Sequence, residues 1–403
     1  MKIAYITAHA PFGCGETFIL EEMKAMIELG EEVLIIPRNP PKKIFHDEAR
    51  QLISRTMRLP LLNWEMLFKF IKAIALSPHL RALIRGIIEN SRTPRILLKN
   101  LCVVPKAVFV ADLIRRARVE HIHAHWGSTT STIGWLASEI SGIPWSMTLH
   151  RWDIAENNML KKKVESASFT RCISDKGMQE TLCIVGANYK SKLIVIHMGV
   201  RINDNSLVEP HLSRSEFVIA CPANLVRVKG HKYLIEALDL INKREGFVVR
   251  CYIIGDGPLK KEIRSQIRRL GLQDVINMVG NIPHEKLMGM YKAKQIDLVA
   301  LPSIITDDGE KEGIPVALME AMSCGIPTIS TKTGSIPELL SGGAGILVNE
   351  KSSVELAKAI NTLIKDKNKY YEIAYRGKLR VKEDFDLRKN VKLLLKEIEK
   401  YKY

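Results

Sequence analysis

A chain of 403 residues with 46% hydrophobic and 26% charged content is long enough to bury two cores, and its length suits two domains better than one. Its formal net charge of +16 points to an anionic counterpart, which nucleic acid, an acidic membrane or a phosphorylated substrate would each supply. Glu65, Lys69 and Lys72 interrupt the most apolar segment, which excludes a run of about eighteen apolar residues crossing a bilayer. Cysteines at 14, 102, 172, 183, 221, 251 and 324 follow neither metal-ligand spacing nor a small secreted disulfide framework. The opening Met1 to Thr7 lacks the apolar run of a signal peptide, so a cytoplasmic protein is expected.

In chain order, Lys2 to Thr7 reads as a first buried strand, Glu16 to Leu29 as a helix closed by Gly30, and Glu32 to Ile36 as a second strand. A basic helical insertion occupies about residues 45 to 118, and residues 61 to 118 hold eleven basic against three acidic side chains. There Trp64, Leu67, Phe68, Ile71 and Ile74 form an apolar stripe beside Lys69 and Lys72, a face suited to the anionic inner surface of the cell membrane. His121, His123 and His125 alternate along one face of a strand, and neutral strand-end histidines account for them more simply than a metal site. Ile143 to Leu149 and Leu193 to Ile196 add further strands, so the first half is α/β with a parallel sheet.

From 201 to 216 the pattern loosens into Asn, Asp, Ser and Pro, the expected interdomain linker. A second series of strands is predicted at 217 to 221, 248 to 254, 274 to 279, 296 to 301, 326 to 330 and 345 to 348. The expectation is two doubly wound Rossmann-like domains, 1–205 and 206–380, facing across a cleft at the carboxyl ends of their strands. The tail from about 352 is helical and charged; Asp384-Phe385-Asp386 within it has the spacing of metal-binding carboxylates but reads as solvated surface.

The stretch Glu312-Gly-Ile-Pro-Val-Ala-Leu-Met-Glu320-Ala-Met-Ser-Cys-Gly-Ile-Pro327 is the most informative. Pro315 suits the first position of a helix, Gly325 the residue after its end, and Pro327 forbids continuation. An exposed helix N-terminus presents backbone N–H groups and the positive end of a dipole, so Gly313, Ile314, Pro315 and Val316 make a seat for a phosphate. Glu312 lies ahead of that seat and Glu320 inside the helix, which matches a ligand carrying hydroxyls on either side of a diphosphate.

This stretch resembles the Glu-seven residues-Glu signature of the retaining family-four glycosyltransferases, the glycosyl transferases group 1, which have the GT-B fold. Asn224-Leu-Val-Arg-Val-Lys-Gly-His resembles their phosphate-binding loop, Gly255-Asp256-Gly257-Pro258 their conserved-type turn, and Val279-Gly-Asn-Ile-Pro283 the loop that holds the nucleobase. Leu301-Pro-Ser303 resembles a common strand end; together these motifs span most of residues 217 to 348. In the first half, Pro11 to Glu16, with Gly15, resembles the acceptor loop, and Met147-Thr-Leu-His-Arg-Trp-Asp153 the segment bearing an active-site histidine, His150. The resemblance departs at Asn224, where an arginine is usual, and Arg227 is the nearest replacement.

The resemblance implies a retaining glycosyltransferase of the surface-polysaccharide type that needs neither metal nor cofactor. Its donor would be a nucleotide sugar with a UDP, GDP or ADP leaving group, and its acceptor a glycan or lipid-linked glycan. Glu312 would hold the transferred sugar, Lys229 and Arg227 the diphosphate, Glu320 the ribose, Ile282 the base, and His150 the sugar or phosphate. The final helices, 381–403, would cross back to the first domain. The rival reading is a non-catalytic nucleotide-sugar or polyanion binder on the same fold, motivated by Asn224 and the charge. An epimerase and a phosphorylase fit the motifs less well, and nucleic-acid binding lacks a zinc-finger or aromatic RNA-binding signature.

Overall fold

The computed structural model describes residues 1–12, 16–41, 44, 47–202, 216–242 and 248–402. The chain divides into two compact units, Met1–Met198 with Leu387–Tyr403, and Gly199–Asp386. Most of the predicted linker lies outside the described residues.

In the first unit, strands β1 (Lys2–Thr7), β2 (Glu32–Pro37), β3 (His121–His125), β4 (Trp145–Leu149), β5 (Phe169–Cys172) and β6 (Leu193–Val195) pair in the order β2-β1-β3-β4-β5-β6. All neighbours run parallel. The two-residue period of a strand sends Ala4 and Ile6 into one apolar layer and Ile3 and Tyr5 into the other, so both faces are covered. Four-residue β5 escapes the apolar pattern because Thr170 and Arg171 interrupt it, although both are buried.

The second unit holds β7 (Glu216–Pro222), β8 (Val248–Ile254), β9 (Ile276–Gly280), β10 (Leu298–Leu301), β11 (Thr328–Thr331) and β12 (Ile346–Val348) in the order β12-β11-β10-β7-β8-β9. Strand order reverses between β1 and β3 in the first unit and between β7 and β10 in the second. The loops leaving the carboxyl ends of those strands diverge there, which is where open α/β sheets bind ligands.

Between β2 and β3 the basic insertion folds into helices Trp64–Leu76, Pro78–Asn90 and Pro94–Arg116. Asn63, Ser77 and Thr93 each accept an N–H of the first turn, and Pro78 and Pro94 occupy positions whose own N–H the helix does not need. The predicted stripe is split: Trp64, Phe68 and Ile71 are exposed, while Leu67 is half-buried and Ile74 packs on the core. Lys69 is ion-paired with Glu65 and Asp112, so it does not add to the free basic charge beside the stripe.

Two further expectations are corrected at the carboxyl end. Helix Lys367–Asp384 buries Tyr370, Ile373 and Val381 in the second unit's core, so the chain passes to the first unit between Asp386 and Leu387 and not at 381. Asp384-Phe385-Asp386 is not solvated tail: Phe385 is wholly buried, Asp384 pairs with Arg380, and Asp386 bridges to Val200. Helix Leu387–Glu399 then lays Leu387, Val391, Leu394 and Ile398 into the layer that holds Ile19 and Met23.

Lys106, counted above with the surface charge, is wholly buried. Its Nζ donates to the carbonyls of Pro37, Arg38, Leu59 and Pro60 at 2.7, 2.8, 2.9 and 3.2 Å. Three N–H groups shared among four carbonyls tie the end of β2 to the insertion, and their removal takes this buried donor from all four. Lys106→Met is expected to lower the unfolding free energy in urea by about 3 kcal/mol; a loss below about 1 kcal/mol would show that water replaces the ammonium without penalty.

Candidate active site

In the second unit the sequence-predicted groups converge on the strand-order reversal. The chain leaving β7 turns through a short 3-10 segment, Arg227–Lys229, and Gly230 follows in the left-handed region with φ +64°. A side chain at Gly230 would collide with the Pro302 carbonyl, and the Ile304 N–H donates to the Val228 carbonyl at 2.9 Å, so this loop lies flat against the chain leaving β10. That placement aims Lys229 Nζ at the Glu312 carboxylate, with which it forms an ion pair. The side chains of Lys229 and Glu312 are only 20% and 16% exposed, so the pair is shielded without being sealed. Lys229, not Arg227, makes this contact; Arg227 is exposed, as is Asn224.

Glu312 is fixed from behind. Its carbonyl accepts from the Ser335 N–H at 3.4 Å and presses on Gly334, whose φ of +54° leaves no room for a side chain. Buried Ser303 brings its hydroxyl to 3.5 Å from the Glu312 carboxylate. The helix after Glu312 spans Val316–Ser323, with Pro315 as an N-cap in extended conformation and no side chain capping the first turn. Pro315 therefore precedes the first helical residue by one position, and Gly313 and Ile314 lead into the uncapped end.

Glu320, on that helix, accepts from His284 Nε2 at 2.8 Å. His284 starts the helix after β9, so the pair ties the loop containing Ile282 to the helix after Glu312. Gly255 and Gly257 pack against the backbone of Ala223 and Leu225, and the Leu225 N–H donates to the Asp256 carbonyl at 3.0 Å. The Asp256 side chain is bound to Lys260 at 2.6 Å, which makes it a brace for its own turn. Sequence reasoning missed Ser303 and His284 as site residues; Ser303 stood in a quoted motif, whereas nothing local marks a histidine whose partner is thirty-six positions away.

In the first unit, His150 caps the helix Arg151–Glu156, where Asp153 accepts its backbone N–H at 2.9 Å. Burial pushes the Asp153 carboxyl up to about 7, and burial holds the His150 imidazole well below its usual range, aided by His125 and Arg171. Trp126, in the left-handed region at φ +82°, stacks on His150 with ring centroids 4.4 Å apart. Its indole N–H donates to Glu16 at 2.6 Å, and Glu16 also accepts the N–H groups of His9 and Ala10. The loop after β1 and the turn after β3 are thereby joined beside His150, although they are 110 positions apart. Gly15 lies outside the described residues.

The three alternating histidines of β3 are wholly buried. Glu22, His123 and His125 approach closely enough to hold a metal ion. Each of those atoms already has a protein partner: Arg171 and Tyr5 take the Glu22 oxygens, Ser146 and Thr148 the His123 nitrogens, and Tyr5 and His150 the His125 nitrogens. Burial pushes the His121 imidazole down to about 3 and the His123 imidazole well below its usual range, so these rings are neutral hydrogen-bonding groups.

Residues 204–380 match the family model described as Glycosyl transferases group 1. The putative colanic acid biosynthesis glycosyltransferase WcaL of Salmonella typhimurium is 28% identical, with 96% of each chain covered. The amylovoran biosynthesis glycosyltransferase AmsK of Erwinia amylovora is 24% identical, again over 96% of each chain. Among solved structures, Anabaena Alr3699/HepE in complex with UDP superposes with a TM-score of 0.73 at 21% identity, covering 99% of this chain and 100% of that one. Sucrose-phosphate synthase from Thermosynechococcus elongatus superposes with a TM-score of 0.72 at 18% identity, over 99% and 98% of the two chains. With two parallel six-stranded units, the group 1 motifs gathered on the second of them, and relatives matched along nearly their whole length, residues 204–380 carry the glycosyl transferases group 1 family and the chain has the GT-B fold.

Proposed function

We propose that this glycosyltransferase works with retention of anomeric configuration and without a metal ion, moving a sugar from a nucleoside-diphosphate donor to a glycan or lipid-linked acceptor in surface-polysaccharide assembly. The observation that carries the reading is the Lys229–Glu312 ion pair set against the uncapped end of helix Val316–Ser323. Lys229 stands where a departing diphosphate gains charge, Arg227 adds a second cation from the same turn, and the N–H groups of Gly313, Ile314 and Val316 complete the cradle. Glu312, freed in part as Lys229 turns to phosphate, accepts hydroxyls of the transferred sugar. Glu320 takes the ribose, Ile282 the base through its backbone, and the Gly255-Asp256-Gly257 turn holds the loop beneath them.

The donor class is supported by the Anabaena neighbour's complexes with UDP and UDP-glucose, and the polysaccharide role by the colanic acid and amylovoran relatives. Cys221, at the end of β7, is unsuited to a covalent intermediate, because it is sealed and its thiol is pushed up to about 12 by burial. A same-face displacement, in which the leaving phosphate takes the acceptor proton, needs no such nucleophile. The acceptor is assigned to the first unit, around His150 and Trp126.

Lys229→Ala is expected to lower kcat at saturating donor about a hundredfold or more; unchanged kcat would remove the charge-stabilisation role. Donor bound with no transfer to any acceptor would instead favour the non-catalytic binder. Activity is expected to survive a chelator, and the product's anomeric proton coupling is expected to match the donor's. Loss of activity restored by a divalent cation, or an inverted coupling, would overturn those two parts separately.

Among the described residues no helix is long and apolar enough to cross a membrane. Helix Trp64–Leu76 nevertheless exposes Trp64, Phe68, Ile71 and Leu76 at 86, 70, 57 and 72%, with Lys72 exposed on the same helix and Arg81 and Arg85 exposed on the next. We assign this face to an anionic bilayer, whose charge the basic insertion complements and where a lipid-linked acceptor would reside. A W64S/F68S variant is expected to partition onto phosphatidylglycerol vesicles about tenfold less than the parent; equal partitioning would sink the assignment.

A further inference from the structure

Five side chains of the first unit form a continuous line of hydrogen bonds that runs from a sealed interior to His150. Arg171, Glu22, Tyr5 and His125 are at most 1% exposed, whereas His150 is 8% exposed and is the line's outlet. Arg171 Nη1 donates to Glu22 Oε2 at 2.5 Å, and its other nitrogens donate to the carbonyls of Ile196 and His197 at 2.7 Å each. Burial opposes charge on Glu22, but its neighbours, the Arg171 guanidinium foremost, hold the carboxyl well below its usual range. The carboxylate accepts only, so Tyr5 spends its one hydroxyl proton on Glu22 Oε1.

Each later link follows by proton counting. With its proton committed, the Tyr5 oxygen can only accept at its 2.9 Å contact with His125 Nδ1, which places a proton on that nitrogen. Glu22 and Arg171 already cancel, so a second proton on His125, whose Nδ1 lies 3.6 Å from Glu22 Oε1, would leave this sealed group of side chains with a net positive charge. His125 Nε2 therefore carries a lone pair, and at 2.8 Å it accepts from His150 Nε2. One proton remains for a neutral His150, and it is on Nε2.

We propose that Arg171, Glu22, Tyr5 and His125 are positioning residues that fix the tautomer of His150, so that His150 meets its substrate as a neutral ring with its lone pair on Nδ1. A substrate hydroxyl that reaches this ring donates to it, and the ring supplies no positive charge to a phosphate. This narrows the role of His150 from sugar or phosphate to a sugar or acceptor hydroxyl, and it rests on the reading of His150 as a substrate contact. Trp126, held by Glu16, packs its ring on His150 without entering the line of protons.

The test reverses the line without changing its shape. In Glu22→Gln the amide oxygen accepts from Arg171, while the amide N–H donates to Tyr5. Tyr5 must then donate to His125 Nδ1, His125 to His150 Nε2, and the proton of His150 is left on Nδ1. Long-range proton–nitrogen NMR of histidine-labelled full chain near neutral pH reads the tautomer directly. The parent is expected to show His150 protonated at Nε2 and Glu22→Gln at Nδ1, with turnover reduced about tenfold or more and UDP binding unchanged.

An Nδ1–H tautomer or an imidazolium at His150 in the parent overturns the proposal, as does a parent-like tautomer in the variant. A reversed tautomer with unaltered turnover overturns the assignment of the lone pair to a substrate hydroxyl. If Glu22→Gln does not fold, Tyr5→Phe cuts the same line, and its His150 signal is expected to split between tautomers. An unsplit Nε2–H signal there has the same force against the proposal. UDP binding is measured alongside, so a failure of the donor assignment registers apart from a failure of the relay.

Discussion

The pairing of Lys229 with Glu312 is the contact on which the donor-side geometry depends. Opposite charges eighty-three positions apart are held together because the loop after β7 lies flat on the chain leaving β10, which Gly230 alone permits at its left-handed position. Partial burial gives the contact its use. A sealed pair of this kind strongly resists separation, and a fully exposed one positions little, whereas a shielded pair open on one side is available to exchange its partner for a ligand. The strand order places the pair at the reversal between β7 and β10, and helix Val316–Ser323, which follows Glu312, begins without a side-chain cap.

The first unit solves a different problem at its own reversal, between β1 and β3. Its interior holds an arginine, a glutamate and several histidines in places that an α/β sheet usually fills with aliphatic groups. Burial is tolerated because the charges cancel within one ion pair and both ring nitrogens of His125 have partners. A network satisfied in this way is rigid, and its rigidity passes to His150, whose orientation is further set by Trp126 in a strained backbone conformation anchored through Glu16. Lys106 and Lys163 use the same economy of shape, each ammonium filling a pocket of carbonyls where two chain segments meet.

Much of this was legible beforehand where the information is local. The strand at Lys2–Thr7, the helix that follows, and the spacing of Glu312, Pro315 and Glu320 are patterns of neighbouring residues, and motif order along the second half identifies the fold. Arg171 hid β5, because a charged residue inside a strand looks like a surface residue until its buried partner is known. Lys106 was counted with the basic insertion for the same reason, and Phe385 was placed in a solvated tail because its neighbours are acidic.

Periodicity, glycine and proline placement, and motif spacing determined from the sequence alone that there are two doubly wound sheets and which loops carry the group 1 signature. Those features act over a few residues, so they survive reading in one dimension. The tertiary structure decided which charges meet: Lys229 with Glu312, Glu320 with His284, Arg171 with Glu22, and the line of rings that ends at His150. Whether a polar side chain is a solvated group, a brace or a reactive one depends on burial and on partners far away along the chain, and only the folded sheets bring those partners within hydrogen-bonding distance.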